Sequence, residues 1–206
     1  MKNHLILMIL FLAGLLMISC SEESTENDPN NNGTVSIKTI TDLDCDTTNG
    51  RAGRFTFFSL QDSSVVPASD SATTKWDIAF SSTTIITNSA FRGPGLGGAI
   101  VYKLQTGESF AGLTEAPADG YAVDTSLTQK AIRTGSGNGW YLYDSQNSVI
   151  RPINDVVLFI RTADGKYAKM MITSYYKGNL ANPDQTSLPR FYNFKYAYQP
   201  DGSRKF

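Results

Sequence analysis

The fold is decided by the stretch Val156-Val157-Leu158-Phe159-Ile160, then Asp164-Gly165, then the run from Tyr167 to Tyr176. A continuous apolar run of this length predicts a strand that is covered on both faces. Asp-Gly between two strand-like runs favours a hairpin, because both residues tolerate positive φ in a tight turn. We therefore predict an antiparallel β-hairpin in this part of the chain.

Alternation of apolar and other residues predicts further strands. In Trp76-Asp77-Ile78-Ala79-Phe80 three large apolar side chains share one face, which predicts a half-buried strand, and Thr83 to Thr87 continue it with β-branched residues. Similar patterns occur at Val35 to Ile40, at Phe55 to Leu60 and at Arg190 to Tyr198, where Tyr192, Phe194, Tyr196 and Tyr198 share a face. No segment after residue 34 has a strong helical pattern. We therefore predict one all-β domain, residues 35–206, of antiparallel sheets and hairpins with long functional loops.

Two glycine-rich loops interrupt the strands. Gly93-Pro94-Gly95-Leu96-Gly97-Gly98 has the look of a dinucleotide-binding loop, but that motif requires a helix to begin inside it, and the pattern of Ala99 to Tyr102 predicts a strand. This loop is better explained by close approach of the backbone. The segment 105–139 lacks periodicity and ends in Gly135-Ser136-Gly137-Asn138-Gly139, just before Trp140. Loops beside aromatic segments predict a site for a planar apolar ligand, with a plain core strand at Trp140 and Leu142 as the alternative.

The N-terminus predicts export and lipid anchoring. Lys2 precedes an apolar run from Leu5 to Ile18, which is too short to span a bilayer and is typical of a secretory signal. We assign residues 1–19 to this signal and expect acylation of Cys20, with an incidental cysteine after an ordinary signal as the alternative. Residues 20–34 are acidic and Asn-rich and predict a flexible tether, whose roughly fourteen residues would reach about 20 Å.

Composition excludes several functions. The chain has 18 basic and 19 acidic residues without a long basic run, so we expect no nucleic-acid partner. The single histidine, His4, lies in the predicted signal. The mature chain would therefore lack a histidine general base and a His metal ligand, and we expect no enzymatic activity.

The carboxylates Asp42, Asp44 and Asp46 raise the question of a metal site. On an extended segment they face the same way, but the glycine and glutamate that a calcium loop requires are absent, so a solvated acidic edge is the preferred interpretation. Cys45 between them has no partner for an intrachain disulfide once Cys20 is acylated, and we expect it to be buried and inert.

Several of these segments, in this order, carry a family resemblance. They are Trp76-Asp77-Ile78-Ala79-Phe80, Thr87-Asn88-Ser89, Gly95-Leu96-Gly97-Gly98-Ala99, Arg161 to Lys169, and Ile172-Thr173-Ser174-Tyr175-Tyr176. Together they resemble the HmuY-type haem-binding lipoproteins of Bacteroidetes, over most of the chain after the tether. Ser21-Glu22-Glu23-Ser24 resembles the acidic signal that sends such lipoproteins to the outer face of the outer membrane. The resemblance implies a surface protein that captures haem and passes it to an outer-membrane receptor.

The expected haem ligands are missing, however. Better-known relatives hold the iron with His or Met residues in the loops after the glycine-rich segment, and this chain has neither between Ala99 and Arg151. Tyr121 and Tyr141 are the candidate iron ligands that remain, and Arg133 and Arg151 are candidates to pair with a propionate. Met170 and Met171 are adjacent on a strand and favour a core role.

Three functional hypotheses follow. The first is capture of haem or a related porphyrin for uptake. The second is a binding module of HmuY fold that has lost haem ligation and takes another ligand, such as a glycan, a peptide or a metal chelate. The third is a structural or adhesive role without a small-molecule site.

Overall fold

The computed structural model describes residues 35–45 and 54–206, which are almost entirely strands and loops. The strands are β1 (Ile37–Asp44), β2 (Thr56–Ser59), β3 (Ser64–Val66), β4 (Ile78–Ser81), β5 (Thr84–Thr87), β6 (Gly98–Lys103), β7 (Tyr141–Asp144), β8 (Val149–Pro152), β9 (Val156–Arg161), β10 (Tyr167–Tyr176) and β11 (Pro189–Gln199). One 3-10 turn (Ala68–Asp70) is the only helical element in these two ranges, and it is far too short to cross a membrane. The all-β prediction is confirmed. The predicted signal, Cys20, the tether and Asp46 lie outside the described residues.

The larger sheet has five antiparallel strands in the order β1-β11-β10-β9-β6. It contains the predicted hairpin, in which Arg161 of β9 pairs with Tyr167 of β10. The turn differs from the expected one, since only Gly165 has positive φ (86°) and Asp164 does not. The Thr162 carbonyl accepts a hydrogen bond from the Gly165 amide (3.0 Å), and the Thr162 amide donates to the Lys166 carbonyl (2.8 Å). The connection is therefore longer than a two-residue turn.

The smaller sheet has four strands in the order β3-β2-β4-β5. Sequence reasoning missed its two hairpins, because neither carries an Asn-Gly or Asp-Gly pair. Thr83 to Thr87 do not prolong the preceding strand as expected. The chain turns back at Ser82 (φ 48°) and Thr83, so that Ser81 pairs with Thr84.

The main core lies between the two sheets. The aromatic face of β11 meets the smaller sheet, with the Phe58 ring 5.6 Å from that of Phe194 and the Phe80 ring 4.6 Å from that of Tyr192. Burial of several large rings in one layer is the main apolar contribution to folding. The predicted alternation of β11 is confirmed, because the four residues predicted to share one face all belong to this core: Tyr192, Phe194, Tyr196 and Tyr198.

The strand around Trp76 is covered on both faces, which corrects the prediction of a half-buried strand. Ile78 and Phe80 belong to the main core, whereas Trp76 packs with Ala79 and Ile86 in a second cluster on the other face of the smaller sheet. The extended strand begins only at Ile78, so the alternation does not reach back to Trp76. The indole nitrogen of Trp76 donates to the Ser71 carbonyl (2.9 Å) and fixes the ring on that outer face.

Asp77, next to Trp76, connects three parts of the fold. Its buried carboxylate accepts hydrogen bonds from the amides of Leu60 (2.8 Å) and Ala163 (2.9 Å). Leu60 follows β2 in the smaller sheet and Ala163 lies in the β9–β10 connection of the larger one. Burial raises the pKa of Asp77 to about 6, although both hydrogen bonds act in the opposite direction.

The predicted acidic edge is interrupted by a bulge in β1. Asp42 has φ 54°, between the paired residues Ile40 and Leu43, so Asp42 and Asp44 do not continue one extended face. The Asp42 carboxylate instead accepts the Gly178 amide (2.7 Å). Within the described ranges no three His, Cys, Asp or Glu side chains are grouped to hold a metal ion. Cys45 is fully buried, as predicted.

The segment between β6 and β7 is irregular, as predicted, and two buried charged side chains fix it to the sheets. The Lys169 ammonium group donates to the carbonyls of Phe110 (2.9 Å) and Leu113 (2.7 Å). Further along, the Asp124 carboxylate accepts the amides of Thr87 (2.7 Å) and Ala131 (3.3 Å). The loops are thus held by polar contacts that replace regular pairing.

Candidate ligand-binding site

The first glycine-rich loop is folded around the buried side chain of Asn88. The Asn88 amide group donates to the Trp76 carbonyl (2.7 Å), and its side-chain oxygen accepts the Gly95 amide (3.0 Å). A Cβ at Gly97 would lie 2.5 Å from the Asn88 carbonyl oxygen, and one at Gly93 would collide with the Asn88 side chain. The loop needs glycine for close approach, as predicted, but what it approaches is Asn88.

An aromatic cleft of about 560 Å³ opens beside this loop, on the outer face of the smaller sheet. Its size is in the range of small-molecule sites. Seven of its ten lining residues have apolar or aromatic side chains, while polar and apolar atoms contribute about equally to its surface; it is lined by Phe55, Phe57, Ser71, Ala72, Ile86, Ala90, Phe91, Arg92, Gly93 and Pro94. Phe57 packs edge-on against Trp76 at 4.8 Å, so the floor of the cleft continues into the second apolar cluster. Phe91 at the rim is 55% exposed.

Arg92 is the one charged side chain among the described residues that lines the aromatic cleft. Its guanidinium carbon lies 5.3 Å from the Phe91 ring centroid and 5.8 Å from that of Phe55. The Arg92 Nε is buried, and it has no hydrogen-bond partner in the described part of the chain. No carboxylate of residues 35–45 or 54–206 forms an ion pair with Arg92. A buried donor without an acceptor is costly, so this group is well suited to bind an anion.

A second cleft, also of about 560 Å³, contains the predicted residue Arg133. Its character is different, because polar side chains from the irregular segment surround Arg133; it is lined by Ala122, Thr128, Gln129, Lys130, Ala131, Arg133, Thr134 and Asn138. No aromatic ring of residues 35–45 or 54–206 lines this polar cleft. It therefore offers charge and hydrogen bonds, but no surface for stacking a planar ring.

Tyr121 is poorly suited to bind iron. Its hydroxyl is buried without a hydrogen-bond partner among the described residues, and its ring lies 5.9 Å from that of Tyr167 and 5.6 Å from the Arg161 guanidinium carbon. Burial raises the pKa of Tyr121 to about 12. At neutral pH the free protein therefore holds the neutral phenol, whereas ferric iron binds the phenolate.

Tyr141 is a core residue in a different place. It is 8% exposed and its ring lies 5.0 Å from that of Trp140, which in turn contacts Tyr175 near the end of β10. Tyr121 packs on Tyr167 at the start of β10, eight residues earlier, or about 26 Å along the strand. The structure thus does not bring the two predicted tyrosines together. The alternative prediction for this segment is a plain core strand that buries Trp140 and Leu142. Trp140 is indeed buried, but Leu142 is half exposed.

The remaining predicted residues do not complete an iron site either. Arg151 lies in β8 and its guanidinium group donates to the Pro183 carbonyl at 3.4 Å. Met170 is fully buried in the main core, as predicted. Met171, the next residue of β10, is partly exposed. Neither cleft is lined by His, Met, Cys or Tyr among the described residues.

Sequence reasoning placed a ligand beside the glycine-rich loops, and Gly93 and Pro94 of the first loop do line the aromatic cleft, but it did not identify the aromatic and charged side chains of this cleft. Phe55 and Phe57 are two residues apart and so share one strand face, while Phe58 enters the main core on the other. Two aromatic residues on the strand face that points away from the core, here Phe55 and Phe57, are the sequence signal that could have identified this side of the cleft. Phe91 and Arg92 directly precede Gly93, and only the fold shows that the turn of the loop brings them over β2.

The fold and the clefts are those of an all-β ligand-binding protein. The family model for HmuY protein matches residues 52–192, more than half of the chain. The protein belongs to the HmuY family, and the resemblance found in its sequence is confirmed. No curated protein matches the chain.

Solved structures show the same fold. A candidate HmuY-like heme-binding protein of Bacteroides vulgatus has a TM-score of 0.52 at 20% identity, covering 79% of this chain and 91% of its own. A candidate lipoprotein of Bacteroides fragilis has a TM-score of 0.51 at 16% identity, with 81% and 94% covered. The apo form of a HmuY analog from Tannerella forsythia has a TM-score of 0.51 at 19% identity, with 81% and 96% covered.

Proposed function

We propose that this protein is a lipid-anchored surface protein that captures haem or a related porphyrin for uptake, and that the aromatic cleft binds this ligand. The observation that carries the proposal is that the exposed ring of Phe91 and the partly buried rings of Phe55 and Phe57 line one cleft with Arg92, whose buried Nε has no partner among the described residues. Membership of the HmuY family and the fold shared with a candidate heme-binding protein support the choice of ligand.

The chemistry of the cleft matches that of a porphyrin. A porphyrin has a wide apolar face, which Phe91 and Phe55 can cover by stacking, and it carries propionate groups at one edge. Arg92 would pair with a propionate, because a guanidinium group binds a carboxylate through two parallel hydrogen bonds. The ligand would reach the cleft directly from solvent, since Phe91 stands at its rim.

Anchoring completes the proposal. Lipid on Cys20 would hold the domain at the outer membrane, facing the cell exterior, and residues 20–34 would give it freedom to reach its ligand. An outer-membrane receptor is the expected partner for uptake, because a lipoprotein that captures a ligand outside the cell has no means of its own to transport it. Labelling with a lipid precursor, with Cys20→Ala as the control, tests the anchor.

The ligand is tested by titrating the mature protein with ferric and ferrous haem while recording absorbance in the Soret region. We expect a saturable one-to-one shift, which Phe91→Ala weakens. Leu188→Ala, another change at a half-exposed apolar residue but outside the cleft, provides the matched control. Tyr121→Phe and Tyr141→Phe test the two tyrosines predicted from the sequence. Absence of a saturable shift in both oxidation states would exclude haem.

The second candidate function is binding of a different ligand in the polar cleft. Thr128, Gln129 and Asn138 present amide and hydroxyl groups there, which favours a glycan over a peptide or a metal chelate. Calorimetric titration with soluble oligosaccharides tests this. Heat that disappears in Arg133→Ala, together with no response to haem, would favour this second function.

A further inference from the structure

The geometry points to recognition of the ring and of a carboxylate group of the ligand in the aromatic cleft, without recognition of the metal. The ligands of this cleft would then be planar tetrapyrroles that carry carboxylate groups, with or without iron. This inference rests on the proposed function. To that function it adds three points: a carboxylate group of the ligand is recognised, Arg92 recognises it, and binding does not depend on iron.

The first step of the argument concerns Arg92. Its guanidinium carbon lies over the Phe91 ring at 5.3 Å and over the Phe55 ring at 5.8 Å, and these two contacts restrict its orientation. Aromatic faces attract a cation but accept no conventional hydrogen bond, so they orient the group without satisfying its donors. Some surface cations of this protein are paired with carboxylates, such as Lys75 with Asp70 at 3.1 Å and Lys166 with Asp164 at 3.0 Å. Arg92 has no such partner in the described ranges; its side chain is partly exposed and its buried Nε lacks an acceptor, so the guanidinium group is left to pair with a ligand carboxylate.

The second step concerns the donors that could bind iron. Haem iron in proteins is held by His, Met, Cys or Tyr, and among the described residues none of these lines the aromatic cleft. Met170 and Cys45 are completely buried in the main core, on the other side of the smaller sheet. Tyr121 packs on Tyr167 in the larger sheet. Binding in the aromatic cleft therefore provides no bond to the metal and no means of selecting for it.

The test compares three probes on the mature protein: haemin, iron-free protoporphyrin IX, and protoporphyrin IX dimethyl ester, which has the same ring without carboxylates. Quenching of tryptophan fluorescence is the readout, because Trp76 contacts Phe57 directly beneath the cleft. We expect haemin and protoporphyrin IX to bind within about threefold of each other and the ester about tenfold more weakly, as loss of a charged hydrogen bond implies.

Variants locate the site. Arg92→Gln should weaken haemin and protoporphyrin IX about tenfold and leave the ester unchanged, since only the acids use the guanidinium group. Arg92→Lys should restore part of the affinity. Arg133→Gln, the matched change in the polar cleft, should have no effect. Thermal unfolding of each variant confirms that it is folded.

The possible failures are distinguishable. Haemin binding tenfold or more tighter than protoporphyrin IX would overturn the inference and leave the proposed function standing. Weakening by Arg133→Gln but not by Arg92→Gln would place the ligand in the polar cleft, which overturns the inference and the proposed location of the ligand but leaves porphyrin capture standing. No binding of any probe would overturn both.

Discussion

Replacing Asp77 by asparagine should change how the stability of this protein depends on pH. The Asp77 carboxylate is buried between the amides of Leu60 and Ala163, and its pKa in the folded protein is about 6 against an ordinary value of 3.8. The charges of Asp164 and Asp62 nearby raise this pKa further. The folded protein therefore holds this proton more tightly than the unfolded chain does.

The magnitude follows from the two pKa values. A folded-state pKa above the unfolded one stabilises the protein fully below the unfolded pKa, and this stabilisation is lost as the pH rises through the folded pKa. A tenfold difference in proton affinity is worth about 1.4 kcal/mol, so the gap between 3.8 and about 6 corresponds to about 3 kcal/mol. Of this, roughly 2.4 kcal/mol falls between pH 4 and pH 7.

The assay is urea unfolding of the wild type and of Asp77→Asn at pH 4 and pH 7. The side-chain amide of the variant does not titrate, so the stability advantage of the wild type over the variant should shrink by roughly 2.4 kcal/mol between these pH values. Asp119→Asn, at an exposed position, is the control for the general effect of losing a carboxylate. An advantage that stays constant, or that grows with pH, would refute the reasoning. The carboxyl carbon chemical shift of Asp77 in the wild type gives the same pKa independently.

Three further predictions concern stability and are measured by the same unfolding assay. Gly97→Ala should destabilise the protein by about 2 kcal/mol, because the new methyl group meets a backbone carbonyl at 2.5 Å, whereas Gly112→Ala, which meets a side-chain hydroxyl at 3.2 Å, should cost less than half as much. Tyr121→Phe should stabilise by about 1 kcal/mol, since it removes a buried hydroxyl without a partner among the described residues, and a loss of stability would contradict this. Lys169→Met should cost about 2 kcal/mol, because two carbonyls lose their charged donor, whereas Lys103→Met at an exposed site should be near neutral.

The strands with strong local patterns could be predicted from the sequence. Val156 to Ile160 and the alternating aromatic residues of β11 fold as expected, because continuous or strictly alternating apolar residues have one way to be buried in a sheet. The turn at Ser82 could not be predicted, since serine there adopts positive φ without any glycine signal. The alternation assigns Trp76 to the wrong face because the sequence does not show where a strand begins.

The candidate site was harder to predict for a related reason. Arg133 and Arg151 are predicted as candidates to pair with a propionate, yet a sequence does not show which charges find partners. Arg92 differs from them in its surroundings, because its guanidinium group lies over two aromatic rings and its buried Nε has no acceptor among the described residues. Tyr121 and Tyr141 are twenty positions apart in sequence, but their separation in space is set by which end of β10 each one packs against.

The pairing of β1 with β11 has a consequence for how the protein is made. Ile37 pairs with Ala197, so the first described strand finds its place only against the last one. Contacts between residues this distant in sequence form slowly, because the whole intervening chain must be ordered or looped out first. During the export that the proposed function requires, the larger sheet could not close until β11 had emerged. Until then the aromatic residues of the smaller sheet have no partner layer, so the emerging chain would benefit from a chaperone that shields them.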